Sequence, residues 1–308
     1  MTAAPVIVVP LDGSRFSETA LPIAAGVAHT LRASLALARV HDVALLMPSD
    51  SLAPMPVVDR AVDAEMRADQ ARSLARTADS MRSMVREGVA HELLDGPPNE
   101  AISAYVDRVG AQLVIMSTHG RSGIVGTLLG STTREVIRSV RRPVLVIHPR
   151  EGHPPPAPAS IEHVLIPLDG STIAEAIIAP ATALLSGQRR VTLLQLTSNP
   201  GLDPMSAALA MPIVDTQAQE RALRESKVYL NAQARRLREE GFIVDTLAVT
   251  AVSAGSAIVE AARDTGVGLI AMTTHGRGAL GRLVMGSVAE AVLAECEVPM
   301  LIYRPPSA

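Results

Sequence analysis

The sequence predicts a tandem α/β protein made of two Rossmann-like domains, and three observations support this fold class. The same signals recur at nearly constant offset, because Val8–Ser14 returns as Leu165–Ser171 after 157 residues and Ile115–Ser131 returns as Ala271–Ser287 after 156 residues. Within each half, short apolar runs alternate with amphipathic helical patterns, which is typical of βαβ units in a parallel sheet. The chain has 308 residues, of which 48% are hydrophobic, and this is enough for two cores of ordinary size.

The first half contains five apolar runs short enough to be strands, and their nearly continuous apolar character predicts burial on both faces of a sheet. These strands are Val6–Pro10, Leu35–Val40, Val89–Leu94, Leu113–Met116 and Pro143–His148. Helices are predicted between them at 16–31, 59–87, 99–109 and 131–140. Residues 42–58 contain three prolines, and this segment is predicted to be a long loop.

The second half repeats this order of elements. Its five strands are predicted at His163–Pro167, Val191–Leu196, Ile243–Val249, Leu269–Thr273 and Pro299–Tyr303. A loop with prolines is expected at 198–212, and a semi-rigid, proline-rich linker is expected at 151–160. The predicted domains are therefore residues 1–150 and 161–308, each with a five-stranded parallel sheet covered by helices on both faces.

The composition argues against several classes of function. Aromatic residues make up 2% of the chain and the net charge is −3 without a basic stripe, so a nucleic-acid partner is not expected. The sequence contains no apolar run of membrane-spanning length and no signal-peptide pattern. The single cysteine, Cys296, lies between two glutamates, which favours a helix-packing role over a nucleophilic one. We therefore expect a cytoplasmic protein without disulfides or a membrane anchor.

The first candidate site is Asp12-Gly13-Ser14, which recurs as Asp169-Gly170-Ser171 at the carboxyl end of the first strand of each half. Ligands of open α/β sheets bind at this edge, where the strand order reverses. A carboxylate there can accept hydrogen bonds from a ribose or a base amine. The alternative is an aspartate that only caps the next helix, and both interpretations remain open at this point.

The second candidate site is the glycine-bearing segment after the fourth strand. Three residues hold the same register in both copies, namely Gly120, Gly130 and Ser131 in the first and Gly276, Gly286 and Ser287 in the second. Glycines let a ligand approach the main chain, and the helix that follows offers unpaired N–H groups and a positive dipole end. Together these features predict a phosphate cradle. The alternative is a mobile loop followed by a helix cap.

Several motifs of nucleotide enzymes are missing. The chain has one lysine, Lys227, which is far from either loop, so a Walker A motif is excluded. His119 and His275 recur beside the shared glycines, but no further ligands stand at metal-binding spacing, so these imidazoles are expected to fix the loop. Arg121 and Arg277 are candidates for phosphate contacts or for exposure to solvent. We expect no catalytic residue and no protein metal site.

The motif [ST]-x-H-G-x9-G-S after the fourth strand, together with an aspartate after the first strand, resembles the universal stress protein family over residues 5–149 and 161–305. The ATP-binding pattern of that family is G-x2-G-x9-G-[ST]. The recurring residues Gly120/Gly276, Gly130/Gly286 and Ser131/Ser287 match its second glycine, its third glycine and its hydroxyl residue. Ser117 and Thr273 stand in place of the first glycine.

The resemblance implies one ATP in each half, with Mg²⁺ or Mn²⁺ on the phosphates, and it implies which residues bind the nucleotide. These residues are Pro10, Leu11, Asp12, Val40, Met116, Ser117, Gly120, Arg121, Gly130, Ser131, Thr132 and Thr133 in the first half, and Pro167, Leu168, Asp169, Leu196, Met272, Thr273, Gly276, Arg277, Gly286, Ser287 and Val288 in the second. It also implies the strand order 3-2-1-4-5 and pairing of the two fifth strands about a pseudo-two-fold axis.

The favoured function is therefore an ATP-binding regulatory protein of the stress response, which senses or buffers adenine nucleotide with at most slow hydrolysis. The alternative is a nucleotide-free interaction or scaffold module of the same fold. A true ATPase or nucleotidyl transferase has little support, because no general base or lysine is placed for it. We expect tighter binding in the first half, where Thr132 and Thr133 stand at the positions of Val288 and Ala289. The protein partner is unidentified, and a homodimer is left open.

Overall fold

The computed structural model describes residues 4–41, 45–46, 57–118, 129–148, 160–198, 216–274 and 285–305. These residues form two compact units. Unit 1 contains the described residues up to 118 together with 130–139. Unit 2 contains residues 129, 140–148 and the described part of 160–305. The loop expected at 198–212 and the linker at 151–160 lie almost entirely outside the described residues.

Unit 1 is built on four parallel strands in the order β6-β1-β2-β5. Its strands are β1 (Val6–Pro10), β2 (Ser34–Val40), β3 (Leu45–Leu46), β4 (Val57–Val58), β5 (Val89–Leu94) and β6 (Leu113–Ser117). Its helices are α1 (Arg15–Glu18), α2 (Ala20–Leu31), α3 (Arg60–Met81), α4 (Pro98–Arg108) and α5 (Ser131–Ser139). The short strands β3 and β4 pair with each other in antiparallel fashion, so the expectation of a loop throughout 42–58 was wrong at these two places.

Unit 2 contains five parallel strands in the order β10-β9-β8-β11-β12. Its strands are β7 (Val144–Ile147), β8 (Ile161–Pro167), β9 (Leu185–Ser198), β10 (Ile243–Ala251), β11 (Leu269–Thr273) and β12 (Met300–Tyr303). Its helices are α6 (Thr172–Glu175), α7 (Ile178–Ala183), α8 (Thr216–Glu239), α9 (Ala254–Thr265) and α10 (Ser287–Glu295). Strand β7, the fifth strand of the first repeat, belongs to this unit and pairs antiparallel with β12, with Val146 opposite Met300.

The predicted fold class is confirmed, because a parallel α/β domain occurs twice and the second copy has the strand order 3-2-1-4-5. Three element boundaries were wrong. The helix expected at 16–31 is interrupted at Thr19. Helix α3 ends at Met81 rather than at 87, ahead of Gly88, which has a φ of 102° that only glycine adopts readily. Strand β9 begins at Leu185, six residues before the predicted start at 191, because helix α7 ends early.

The core of each unit lies between its sheet and its helices, and it is aliphatic. Residues of the central strands are buried on both faces, as expected for parallel strands. The largest fully buried side chains include Ile7, Leu35, Leu37 and Ile115 in unit 1 and Leu165, Ile166, Leu193 and Leu230 in unit 2. Full burial of one such side chain contributes roughly 1.5–3 kcal/mol relative to exposure. No helix in the described residues is both long and apolar enough to cross a membrane.

Candidate functional site

The candidate residues gather at the carboxyl edge of the parallel strands. Strand β1 pairs with β2 on one side and with β6 on the other, and β8 pairs in the same way with β9 and β11. The chain crosses over in opposite directions on the two sides of β1 and of β8, so the strand order reverses there. Asp12 follows β1 and Thr118 follows β6 at this reversal, and Asp169 and Thr274 hold the same places in unit 2. Such a reversal is where open α/β sheets bind ligands.

Each recurring aspartate forms a tight turn with the serine two residues later. Oδ1 of Asp12 accepts from the amide of Ser14 at 2.9 Å, and Oδ1 of Asp169 accepts from the amide and the hydroxyl of Ser171 at 2.9 and 2.6 Å. The serines then cap the helices, because Oγ of Ser14 accepts from the amide of Ser17 at 3.1 Å and Oγ of Ser171 accepts from that of Ala174 at 3.1 Å. The helix cap is therefore the serine in both copies, and the aspartate holds the turn at the strand end.

Gly130 and Gly286 are required by packing within the fold. The amide of Gly130 donates to the carbonyl oxygen of Thr118 at 2.8 Å, and that of Gly286 donates to the carbonyl oxygen of Thr274 at 2.8 Å. A Cβ atom at either glycine would lie 2.9 Å from that same carbonyl oxygen, so any side chain would push the helix start away from the strand end. The amides of these two glycines therefore donate within the protein. Only the amides of the helix residues that follow them can donate to a ligand.

Helices α5 and α10 begin directly after these glycines. The first intrahelical bonds run from Arg134 to the carbonyl of Gly130 and from Glu290 to that of Gly286, so the amides of residues 131–133 and 287–289 precede the helical ladder. A glycine cannot offer a side-chain oxygen to these amides, unlike the serines that cap α1 and α6. Ser131 and Ser287 are exposed at the two helix starts. Each helix start can therefore receive an anion.

Two differences between the repeats follow from the helix starts. Thr132 is half-buried and carries a hydroxyl, whereas its counterpart Val288 is apolar. The hydroxyl of Thr133 is buried and donates to the carbonyl oxygen of Ser117 at 3.0 Å, which ties α5 to β6. Ala289 cannot make that bond in unit 2. The hydroxyl of Thr133 was expected to help the first repeat bind nucleotide more tightly. In the structure it already bonds to the protein itself.

The remaining described candidates line the strand ends. Met116, Ser117, Met272 and Thr273 are buried at the ends of β6 and β11, and Val40 and Leu196 are half-buried near the ends of β2 and β9. Leu11 and Leu168 are buried, and their amides continue the pairing with the second strand at 2.7 and 2.8 Å, just after Pro10 and Pro167. Gly120, Arg121, Gly276 and Arg277, together with His119 and His275, lie outside the described residues.

A buried histidine cluster stands at the same edge of unit 1, and the sequence analysis missed it. His41 follows β2, and its side chain is only 4% exposed. Nδ1 of His41 lies 2.9 Å from Oε1 of Gln70, and Nε2 lies 3.1 Å from Oδ1 of Asp63, both of them on α3. The sequence does place Asp63 and Gln70 on one face of the predicted helix, because they are seven residues apart. It gives no indication that this face contacts His41.

A second charged pair, Arg67 and Asp95, stands near this histidine. The hydrogen bond from Arg67 lowers the pKa of the Asp95 carboxyl, and the charges of Arg67 and His41 lower it further. Arg39, two residues before His41, is buried with its guanidinium carbon 2.8 Å from the point where Gly13 would carry a Cβ. Gly13 has a φ of 79°, so a side chain there would be both strained and obstructed.

The second repeat replaces this charged cluster with neutral groups. Thr197 stands at the position of His41, and its Oγ1 lies 3.0 Å from Oγ1 of Thr250. Nε2 of Gln219 donates to the same Thr250 hydroxyl at 3.2 Å. Gln195 takes the place of Arg39. The two crevices therefore have the same main-chain arrangement. They differ in the nearby side chains, because Arg39 and His41 of the first repeat are replaced by Gln195 and Thr197 in the second. Among the described residues, no group of three His, Cys, Asp or Glu is placed to hold a metal ion.

The repeated parallel sheet with a turn-forming aspartate and a glycine-led helix at its switch point defines a tandem α/β protein of the Rossmann-like class. The family model described as "Universal stress protein family" matches residues 5–148 and again residues 160–304. The chain therefore belongs to the universal stress protein family and is a tandem member of it.

Individual relatives agree with this assignment. Universal stress protein Rv2005c of Mycobacterium tuberculosis is 28% identical over 204 residues, which cover 63% of this chain and 62% of that protein, so this match spans less than two thirds of its length. Universal stress protein Rv1996 of the same organism is 26% identical over 321 aligned positions, which cover 97% of this chain and 95% of that protein.

Two solved structures share the fold across nearly the whole chain. A universal stress protein from Archaeoglobus fulgidus has a TM-score of 0.67 at 17% identity, covering 98% of this chain and 97% of that one. A protein of unknown function from Pseudomonas aeruginosa has a TM-score of 0.58 at 17% identity, covering 98% and 93%. At this level of identity the likeness concerns the fold.

Proposed function

We propose that each repeat binds one adenine nucleotide, ATP with Mg²⁺ or Mn²⁺ on its phosphates, and that the protein acts as a cytoplasmic regulator of the stress response. The protein senses or buffers the nucleotide and hydrolyses it slowly at most. The observation that carries this proposal is the helix start behind Gly130, repeated behind Gly286, beside the aspartate turn at the switch point of the sheet.

The physical support comes from the missing cap. The amides of the first turn of α5 and α10 have no side-chain acceptor from the glycine that precedes them, and the positive end of the helix dipole points the same way. A phosphate group satisfies both the amides and the dipole. The aspartate turn stands at the end of the neighbouring strand, and a carboxylate in that place can accept hydrogen bonds from a ribose or a base amine.

A second candidate function, the nucleotide-free interaction module, is favoured by one specific observation. Packing against Thr118 and Thr274 already accounts for Gly130 and Gly286 without any ligand. The residues in place of the first glycine of the family's pattern, Ser117 and Thr273, are also buried side chains rather than open backbone. The two candidates differ in whether the helix starts bind an anion, so the experiment targets those helix starts.

The decisive variants are Ser131→Glu and Ser287→Glu. Both serines are exposed in the first helical turn, where a glutamate is favourable to the helix and brings its own carboxylate to the anion position. The matched control is Ser256→Glu, an exposed first-turn position of α9 that is not among the candidate residues. We expect each of the two site variants to remove one ATP per chain in titration calorimetry with Mg²⁺, while the control keeps two.

The asymmetry between the repeats is read from the same titrations. Thr132 offers the first crevice a hydroxyl that Val288 cannot offer, so we expect the site lost in Ser131→Glu to be the tighter one. Mass spectrometry of the denatured wild-type protein then asks whether adenine nucleotide is retained through purification. Absence of ATP binding in the wild-type protein, with the fold intact by circular dichroism, would reject the nucleotide proposal and favour the interaction module.

A further inference from the structure

Strand β10 is an edge strand of unit 2. It pairs along its whole length with β9, and within the described ranges no strand pairs with its other side. An open edge presents a row of main-chain N–H and C=O groups that can pair with another strand. β10 has nine residues, whereas β5, the edge strand of unit 1, has six.

The bonds of the neighbouring strands show which peptide groups of β10 face outward. Because the amide of Leu168 donates to the carbonyl oxygen of Leu194 at 2.8 Å, even-numbered residues of β9 direct their peptide groups to β8 and odd-numbered ones to β10. Val249 stands opposite Leu196, and in a parallel ladder it bonds to the two residues that flank this partner. Odd-numbered residues of β10 therefore bond to β9. The outward-facing peptide groups are those of Val244, Thr246, Ala248 and Thr250.

The protein covers the first of these groups and leaves the others open. Nη2 of Arg238, on α8, donates to the carbonyl oxygen of Val244. The main-chain groups of the next three outward-facing residues, Thr246, Ala248 and Thr250, have no hydrogen-bond partner among the residues that the structure covers. The open part of the edge is therefore the carboxyl half of β10.

This open segment, residues 246–251, lacks the features that normally protect a sheet edge. It contains no charged residue, no proline and no glycine. Its apolar residues Leu247 and Val249 are only half-buried, and Val252, directly after the strand, is 74% exposed. Natural edge strands are blunted by charges or proline, or else they are covered. The composition of this segment therefore indicates that a partner covers it.

The other edge of the sheet shows the contrast within the same chain. Strand β5 is shorter and carries His91 and Glu92, and the carboxylate of Glu92 forms an ion pair with Arg108. Asp95, directly after β5, forms a second ion pair with Arg67. These charges protect β5 against pairing with another strand, whereas residues 246–251 of β10 carry none.

The main chain of the open segment is complementary to a second copy of itself. An antiparallel arrangement about a two-fold axis at Ala248 places Ala248 opposite its own copy and Thr246 opposite Thr250. Outward-facing residues that lie directly opposite each other exchange both main-chain hydrogen bonds. Only this register pairs all three open residues with one another, because a shift along the strand brings in Val244, whose carbonyl already accepts from Arg238, or a residue beyond the strand.

The side chains agree with the same register. Leu247 comes opposite Val249 of the second copy, and cross-strand pairs of apolar and β-branched residues stabilise a sheet. Asp245 comes opposite Ala251, so no like charges meet across the axis. A two-fold axis also makes every contact twice, as in most homodimers.

We propose that β10 pairs with β10 of a second copy of this chain, antiparallel about a two-fold axis at Ala248, and that the protein is a homodimer through this edge. None of the candidate nucleotide-binding residues lies on β10. Dimerisation therefore needs no nucleotide, and the proposal does not depend on the proposed function.

The first measurement is sedimentation velocity of the full-length protein from about 1 to about 100 µM, which includes the weaker end of the affinities of ordinary interfaces. We expect a dimer that dissociates on dilution. Amide exchange followed by NMR should show slower exchange of Thr246, Ala248 and Thr250 in the dimer than in the monomer. The amides of Leu247 and Val249, which bond to β9, should exchange slowly in both.

Charge variants at the axis test the register. Ala248→Glu and Ala248→Lys each place like charges opposite each other, so each should weaken the dimer at least about tenfold. An equimolar mixture of the two variants should restore it, because opposite charges then meet. The matched control is Ala90→Glu, at an exposed position of β5, which should dimerise like the unmodified protein.

The mixture also separates the proposal from a folding defect, because misfolded variants cannot restore each other's dimer. Circular dichroism checks the fold of each variant alone. A monomer throughout the concentration range would overturn the proposal. So would a dimer that survives both Ala248 variants, a loss of the dimer in Ala90→Glu equal to that in Ala248→Glu, or a mixture that stays monomeric.

Discussion

Replacing His41 with threonine, the residue at the equivalent place in the second repeat, should destabilise unit 1 by about 3 kcal/mol. The side chain of His41 is 4% exposed and contacts Gln70 and Asp63. Threonine is too short to reach either partner. The loss combines a hydrogen bond to a charged group, worth about 1.5–3 kcal/mol, with an amide oxygen left unsatisfied at about 1–3 kcal/mol.

The lower part of this range is expected because one partner can recover its hydration. The side chain of Asp63 is 25% exposed, so water can replace the imidazole there. Gln70 is buried, and its amide cannot be solvated without movement of α3. Removing both partners of the His41–Asp63 contact with His41→Thr and Asp63→Ala should therefore lower the free energy of unfolding by less than the sum of the single changes, with a coupling of about 0.5–3 kcal/mol.

The assay is urea unfolding followed by circular dichroism, with hydrogen exchange of peptides from β2 and α3 to locate the change. The exchange data are needed because a chain of two units need not unfold in one step. Thr197→Val is the matched control in the second repeat, where loss of a neutral hydroxyl that contacts Thr250 Oγ1 and the carbonyl oxygen of Val249 should lower the free energy of unfolding by about 1 kcal/mol. A His41→Thr effect no larger than the control, or additivity of the two changes in the cycle, would contradict the reasoning.

Two other predictions follow from the structure. Burial raises the pKa of the Cys296 thiol to about 12, so the folded protein holds a proton that the unfolded chain releases above roughly pH 8.5. The free energy of unfolding should therefore fall by up to about 1.4 kcal/mol per pH unit between these two pH values. Cys296→Ala should flatten this slope in urea unfolding measured above roughly pH 8.5. An unchanged slope would contradict the role of the thiol. Gly130→Ala should lower the free energy of unfolding by about 1–3 kcal/mol, because the new Cβ is forced against the carbonyl oxygen of Thr118. Gly268→Ala should lower it less, because the nearest atom to a Cβ there is 3.9 Å away. Equal losses in urea unfolding would show that the helix start moves without strain.

Local patterns were sufficient to predict most of the fold. The internal repeat set the number of domains, and continuous apolar runs such as Val6–Pro10 located strands that are buried on both faces. The aspartate and glycine signals lie at the carboxyl edge of the sheet, as the sequence predicted, because each is adjacent in sequence to the strand that carries it. The residues implied by the resemblance stay predictions wherever they concern a bound nucleotide.

The sequence by itself determined the doubled α/β architecture, because periodicity and turn chemistry are local properties of the chain. Only the tertiary structure showed that Ser14 rather than Asp12 caps α1, and that Gly130 is needed for close approach to Thr118. The same holds for the contact between His41 and α3 and for the membership of β7 in unit 2. These features depend on which distant segments meet and at what distance, and hydrophobic patterning specifies only which face of an element is buried.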